Sequence, residues 1–276
     1  MKKILIIGKG FVAKKFYIFF KKDRYKVNIH KINRIKSRNI ELIEKFYYNE
    51  ILNTIRDFSF DVVINCSGSI ESKSIVDNFF NRRFDILFQQ ILDKKKIKTL
   101  YININSSIFF YKYSINQSYS DSKKYNFLNF KNSKYYLTIA PNYIYNKDDK
   151  NNKLINNYIK LFPIIFIPRK GKTLYPIKIK KFYLFIVSLL NKKDLDCFKY
   201  ILLGKKIYLS DLIKKKLKKI CPNKKIISFQ ISDNIAYFLN KFFNLFILRT
   251  MLHMVNNDLI LNKTFLENKK IKIIHL

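Results

Sequence analysis

The segment Gly8-Lys9-Gly10-Phe11-Val12-Ala13 directly follows the apolar run Ile4-Leu5-Ile6-Ile7 and opens a stretch with helical spacing. That order fits the GxGxxG/A form of a dinucleotide-binding turn. The first glycine makes the tight turn and the second lets the backbone approach a pyrophosphate. A small third residue, here Ala13, lets helix and strand pack closely. Free amides at the helix N-terminus then favour phosphate. The chain has only five glycines in 276 residues, and two of them stand in this turn. Gly8, Gly10, Phe11, Val12 and Ala13 are therefore expected at a cofactor, the alternative being an ordinary strand-to-helix turn.

The residues after the turn alternate short β-branched runs with longer helical patterns, which is how βαβ units around a parallel sheet read. Strands are expected at Ile4 to Ile7, Lys26 to His30, Asp61 to Asn65, Thr99 to Asn105 and Tyr136 to Ala140, with helical connections that include Phe11 to Phe20, Ile51 to Asp57 and Ile75 to Leu92. Pro163, Pro168, Gly171 and Pro176 then punctuate the chain and mark a change of organisation. Beyond them we expect a helix over Lys178 to Leu190, a strand over Lys199 to Leu203 and a helix to Ile220 with Ser210 as its N-cap. The expected fold class is α/β, a Rossmann-like doubly wound parallel sheet. Residues 1–160 would form the NAD(P)-binding domain, and residues 161–276 a smaller substrate-binding region that returns at least one strand to the sheet.

A formal charge of +36 raises the question of nucleic acid. However, 47 of the 55 basic residues are Lys and 8 are Arg, and they are dispersed rather than gathered in one arm. Phosphate-binding surfaces lean on the planar fork of Arg. Lys, Ile, Asn, Phe and Tyr dominate the composition, as AT-rich coding DNA would favour, and the charge is read as drift of solvated positions to Lys. No specific nucleic-acid partner is expected. The run Lys214-Lys215-Lys216 with Lys218-Lys219 is read as a solvated helix face. The apolar stretch Ile235 to Val255 is interrupted by Asn240, Lys241, Asn244 and Arg249, so no transmembrane segment is expected. Cys66, Cys197 and Cys221 are odd in number and lack CxxC or His spacing, which argues against disulfides and zinc and for a reducing, cytoplasmic setting. His30, His253 and His275 are scattered and are read as surface or packed residues.

In Ser118-Tyr119-Ser120-Asp121-Ser122-Lys123, Tyr119 lies 12 residues beyond Ser107. Tyr119 and Lys123, four apart, share one helix face. An ammonium there can lower the phenol's pKa toward neutrality for proton exchange with a substrate oxygen. Ser107, or Ser106, ends the strand Thr99 to Asn105 at the carboxyl edge of the sheet, where open α/β sheets bind ligands. YxxxK alone is expected by chance several times among 19 Tyr and 47 Lys. Its order after a glycine turn and a strand ending in Ser-Ser is what gives it meaning. The end of the second strand reads His30-Lys31-Ile32-Asn33-Arg34, basic where a ribose-binding acid would be sought, so Lys31 or Arg34 is expected at a 2′-phosphate and NADP is favoured over NAD.

In this order the motifs resemble the extended short-chain dehydrogenase/reductase superfamily, the NAD-dependent epimerase/dehydratase group that works on nucleotide sugars. GKGFVA is similar to its glycine turn GAGFIG, and DVVINCSG (Asp61 to Gly68) to its fourth strand DVVIHxAG, which places Cys66, Ser67 and Gly68 along the cofactor. YININSSIFFY (Tyr101 to Tyr111) is similar to the strand ending in SSxxVYG, and YSDSK (Tyr119 to Lys123) to YxxSK. The resemblance implies Ser107 as catalytic serine and Tyr119 as acid/base. Lys123 would lower the phenol's pKa and hold the nicotinamide ribose. LTIAPNYIYNKDD (Leu137 to Asp149) resembles RPxNVYGP and puts Pro141 near the nicotinamide, while Tyr175-Pro176-Ile177 is similar to the start of PIHVDDLA. The family's Arg, Gly and Asp-Asp are Ala140, Asn146 and Lys180-Lys181 here, and the stretch from Ser107 to Tyr119 is short. The length is near that of the reductase branch. The implied partner is a nucleotide-sugar substrate, the implied cofactor NAD or NADP, and the implied assembly allows a homodimer. Two other classes remain open on the sequence: a non-catalytic dinucleotide-binding relative acting as sensor or assembly factor, and a basic nucleic-acid-binding protein.

Overall fold

The computed structural model describes residues 2–68, 74–110, 117–131, 133–146, 156–157, 159–161, 164–168, 173–192, 195, 199–222, 227–231, 267 and 270–276. The first half runs β1 (Lys3–Ile7), α1 (Phe11–Lys22), β2 (Lys26–His30), α2 (Ile40–Asp57), β3 (Val62–Asn65), α3 (Ile75–Arg82), α4 (Phe84–Lys94), β4 (Leu100–Ile104), α5 (Gln117–Asn129) and β5 (Tyr136–Pro141). The second half adds β6 (Tyr143–Tyr145), β7 (Ile164–Pro168), β8 (Thr173–Leu174), β9 (Pro176–Lys178), α6 (Ile179–Leu190), β10 (Lys199–Leu203), β11 (Ile207–Tyr208), α7 (Leu209–Ile220), β12 (Ile227–Ile231) and β13 (Ile271–His275).

Seven strands form one sheet in the order β13-β10-β5-β4-β3-β1-β2, and every neighbouring pair is parallel. Parallel strands require crossovers, and the intervening helices cover both faces. Side chains alternate across each strand. Ile4 and Ile6 of β1 enter a core with Phe16 and Phe20 of α1 and Phe182, Tyr183 and Ile186 of α6. Leu5 and Ile7 enter a second core with Tyr47 of α2, Phe79 and Phe80 of α3, and Phe84 and Phe88 of α4. The chain winds outward from β1 to β2, then returns to place β3 on the other side of β1, so the strand order reverses between β1 and β3. Crevices at such a reversal are where ligands lie in this architecture.

The Rossmann-like α/β class expected from the sequence is the one observed. β10 returns to the sheet beside β5, as expected, and β13 follows as an unanticipated edge strand. The helical pattern over Ile75 to Leu92 divides at Arg83, which caps both α3 and α4. α2 is longer than expected because Asn39 caps it, its Oδ1 accepting from the Glu41 and Leu42 amides. Ser210 is not an N-cap. Tyr208 holds that position and Ser210 lies in the first turn of α7. The stretch Ile235 to Val255 lies outside the described residues, and among those described no helix is long and apolar enough to cross a membrane.

The second core is unusually aromatic. Phe84 is fully buried and meets the rings of Tyr47, Phe79, Phe80 and Phe88 at centroid distances of 4.9 to 6.4 Å. Phe84→Ala should lower unfolding free energy by about 3–5 kcal/mol, read as a shift of the urea midpoint with an unchanged slope.

Candidate active site

The glycine turn is built against the end of β3. Gly8 has φ +125°, a conformation that disfavours any residue with a β-carbon, and such a carbon would stand 2.9 Å from the backbone carbonyl of Cys66. Its amide donates to the His30 carbonyl at 2.9 Å, while the Cys66 amide donates to Ile7 at 2.8 Å, so the ends of β1, β2 and β3 are tied together. Gly10 is the N-cap of α1, and a β-carbon there would meet nothing within 4 Å. No side chain caps α1 and no acidic residue occupies its first turn. Open space over uncapped helix amides fits a pyrophosphate. Ala13 is fully buried beneath the turn, and Phe11 and Val12 are partly buried against the first core.

Beyond β3 the chain continues through Cys66, Ser67 and Gly68. Cys66 packs partly buried against the first core, and burial, together with the nearby Asp85 charge, pushes its thiol pKa up. The Ser67 hydroxyl oxygen is buried without a hydrogen-bond partner, and its amide donates to Asn65 Oδ1 at 3.0 Å. A β-carbon on Gly68 would stand 2.7 Å from Lys123 Nζ and 3.2 Å from Asn81 Oδ1. The absence of a side chain at Gly68 is thus what admits the Lys123 ammonium to this strand end.

Tyr119 and Lys123 lie on one face of α5, with Nζ 5.8 Å from the phenol ring centroid. The Ser106 hydroxyl hydrogen-bonds the Tyr119 phenol. Ser107 is fully buried, its Oγ accepting from Asn142 Nδ2 at 2.9 Å, and Asn142 Oδ1 accepts in turn from the Tyr175 amide. Ser106 is thus bonded to the phenol, and its neighbour Ser107 pins the chain after β4 to the segment after β5. Pro141 closes β5 and is buried there.

The expectation that the ammonium brings the phenol toward neutrality is not met. Burial pushes Tyr119 up to about 12, with the Ser106 hydrogen bond pulling the other way. Burial also lowers Lys123 to about 8, against the Asp85 charge that raises it. Desolvation of the phenolate outweighs an amine whose own charge is being weakened. Near neutral pH the pair is a protonated phenol beside a largely protonated amine, an arrangement suited to donating a proton to an oxygen.

Lys31 is exposed. Arg34 is held more firmly. Its Nη1 pairs with Asp77 Oδ1, its Nη2 donates to the Ser67 carbonyl at 3.3 Å, and its guanidinium lies 4.8 Å from the Phe80 ring centroid. Tyr47 fixes the same loop, donating to the Asn33 carbonyl at 3.0 Å and accepting from the Ile35 amide at 3.3 Å.

The sequence did not single out Asp85, Asn65, Asn103, Asn105 or Asn126, which form the polar floor of the site. Asp85 is 3% exposed, and its carboxylate accepts from Asn65, Tyr101 and Asn126 at 2.6 to 3.0 Å. A signal was present, since Asp85 falls on the apolar stripe Phe84, Phe88, Leu92 of α4, where a carboxylate needs partners.

No protein-family model matches the chain, and no curated protein is similar to it in sequence. Solved structures do match. The dTDP-4-dehydrorhamnose reductase of Bacillus anthracis, in complex with NADP, superposes with TM-score 0.62 over 85% of this chain and 86% of that one, at 14% identity. The dTDP-glucose 4,6-dehydratase of the same organism, in complex with NAD, gives 0.62 over 92% and 96% at 12% identity. L-Threonine 3-dehydrogenase from Trypanosoma brucei gives 0.65 over 84% of each chain at 11% identity. At such identities the likeness establishes the fold, which is the Rossmann-like fold of these dehydrogenases, reductases and dehydratases.

The two glycines of the turn should separate folding from ligand access. Gly8→Ala must change the φ or move the β3 carbonyl and should cost about 1–3 kcal/mol of stability in chemical denaturation. Gly10→Ala should leave the melting temperature unchanged while weakening dinucleotide binding at least about tenfold by fluorescence titration.

Proposed function

We propose that the chain is an NAD(P)-dependent oxidoreductase or epimerase acting on a nucleotide-activated sugar. One continuous constellation carries this reading. The Gly8 turn touches Cys66, the strand end runs on to Gly68, Lys123 Nζ sits against Gly68, and Tyr119 on the same helix meets Ser106. Phosphate-binding amides and a proton-donating phenol thus share the carboxyl edge of one sheet.

A bound nicotinamide supplies a hydride donor or acceptor at its C4 carbon. The amides of α1 and Gly10 would hold the pyrophosphate, and the backbone from Cys66 to Gly68 would line the groove. Tyr119 gives its phenolic proton to a carbonyl oxygen in reduction and retrieves it in oxidation. Lys123 supplies positive charge beside the phenol, stabilising the phenolate that forms. Ser106 donates to that same oxygen and orients it. The segment after β5, tied to Ser107 through Asn142, would form the near wall of the sugar site, with residues 161–276 as the substrate region.

Retention of these reacting groups in this order is the support for a catalyst rather than a passive dinucleotide binder. Tyr119→Phe should leave cofactor affinity intact and reduce turnover on a nucleotide-sugar panel by about 10²–10⁴-fold, and full activity in that variant would refute the assignment.

Support for NADP over NAD comes from Arg34, whose guanidinium donates to the Ser67 carbonyl beyond β3 and would meet a 2′-phosphate if the ribose lies there. Its contact with Asp77 is the competing interaction that a 2′-phosphate must displace. Calorimetric titration should give a lower Kd for NADPH than for NADH, with Arg34→Ala narrowing the difference. Tighter NADH binding by the unmodified chain would overturn the preference.

A further inference from the structure

Three elements that belong to different parts of the site converge on one buried carboxylate. Asn65 Nδ2, from β3, and Tyr101 OH, from β4, both donate to Asp85 Oδ1, at 2.6 and 2.8 Å. Asn126 Nδ2, from α5, donates to Oδ2 at 3.0 Å. Both asparagines are occupied again on their far sides. Asn65 Oδ1 receives the Ser67 amide, so the carboxylate reaches the backbone beside the dinucleotide turn. Asn126 Oδ1 receives Asn103 and Asn105, at 2.6 and 3.0 Å. Asn105 in turn donates to the Lys123 carbonyl and accepts from the Ser106 amide.

The groups facing Asp85 can be named element by element. β3 presents Asn65, with the Cys66 thiol just beyond its end within range of the Asp85 charge, β4 presents Tyr101, and α5 presents Asn126 and the Lys123 ammonium. The basic residues next to it in sequence face elsewhere. The Arg82 guanidinium lies over the Tyr125 ring and Arg83 pairs with Glu44. Lys123, 5% exposed, is thus the cation whose field acts on this carboxylate. Burial raises the Asp85 carboxyl above its ordinary range, and the three neutral donors and the Lys123 ammonium pull it back toward the ionised form.

We propose that Asp85 is a positioning residue of the active site, a buried carboxylate that holds the Lys123 ammonium in its charged form and locks the ends of β3 and β4 to α5 around it. The inference deepens the function proposed above and rests on Lys123 being the active-site lysine. Burial lowers the amine at this depth, and Lys123 lies near 8 with Asp85 raising it. Loss of the carboxylate therefore moves the amine further down, and the Lys123 charge is lost at a pH where the unmodified chain retains it.

The test reads the titration of Lys123 rather than turnover, so it stands apart from the test of the reaction. Competitive acetylation with acetic anhydride across pH, with the Lys123 peptide quantified by mass spectrometry, gives the midpoint in the full-length protein. In Asp85→Asn that midpoint should fall by about one pH unit. The amide at position 85 turns an NH2 toward Asn126 Nδ2, so the single variant also sets donor against donor. The double variant Asp85→Asn/Asn126→Asp removes that conflict, keeps one carboxylate in the cluster, and should return the midpoint toward the original value. A folded Asp85→Asn with an unmoved midpoint overturns the proposal. If Asp85→Asn does not fold, Lys123→Met reads the same coupling from the other end, because linkage is reciprocal. Carbon-13 NMR of the Asp85 carboxyl should then show protonation at higher pH than in the unmodified chain, and an unchanged Asp85 titration overturns the proposal. A shifted Lys123 midpoint in a chain that turns over no nucleotide sugar would support Asp85 as the partner of Lys123 while removing the proposed reaction.

Discussion

Burial of both faces of an all-parallel sheet is the constraint on which the rest of the molecule depends. With α1 and α6 on one side and α2, α3 and α4 on the other, the side chains along β1 and most of those along β3 and β5 are packed in apolar cores. Chemistry can then emerge only at strand ends. At the carboxyl edge, where β1 and β3 part in opposite directions, the chain has Gly8, Ser67, Gly68 and Ser106 within a few residues of the last ladder positions. The same burial makes each polar group near that edge costly, which explains why so many of them are paired.

The solution is an interior of asparagines around a single carboxylate. Asn65, Asn103, Asn105 and Asn126 are all buried, and each bridges two elements. Paired in this way, polar groups specify a unique packing, whereas a half-satisfied network would weaken it. The network fixes the strand ends that hold the glycine turn and the serine, and it sets the electrostatic surroundings of Lys123. Fold and chemistry are coupled through these side chains.

The large positive charge takes its place in this picture. Among the described residues, Lys123 and Lys199 are the buried lysines. Lys199 donates to the Phe127 carbonyl in the last turn of α5, where a cation suits the helix dipole. By contrast Lys214, Lys215, Lys218 and Lys219 stand exposed on α7 around buried Ile213, as expected of a solvated helix face.

The sequence by itself determined the order of strands and helices in the first half, because apolar runs of period two and 3.6 are local signals. It also determined the glycine turn, since φ +125° at Gly8 admits little else. Tyr119 and Lys123 could be placed on one face from their spacing alone. From the residues alone it left Ser107 or Ser106 open and the family resemblance pointed to Ser107, whereas the hydrogen bond between Ser106 and the phenol depends on packing that no local pattern encodes. Nor did it show that the phenol lies near 12 rather than near neutrality, since desolvation depends on what surrounds the ring. Asp85 and its partners were hidden for the same reason. They are separated by 20 residues between Asn65 and Asp85 and by 41 between Asp85 and Asn126. Only the tertiary structure brings them to one point, because a buried charge is stabilised by whatever the fold places around it and not by its neighbours in the chain.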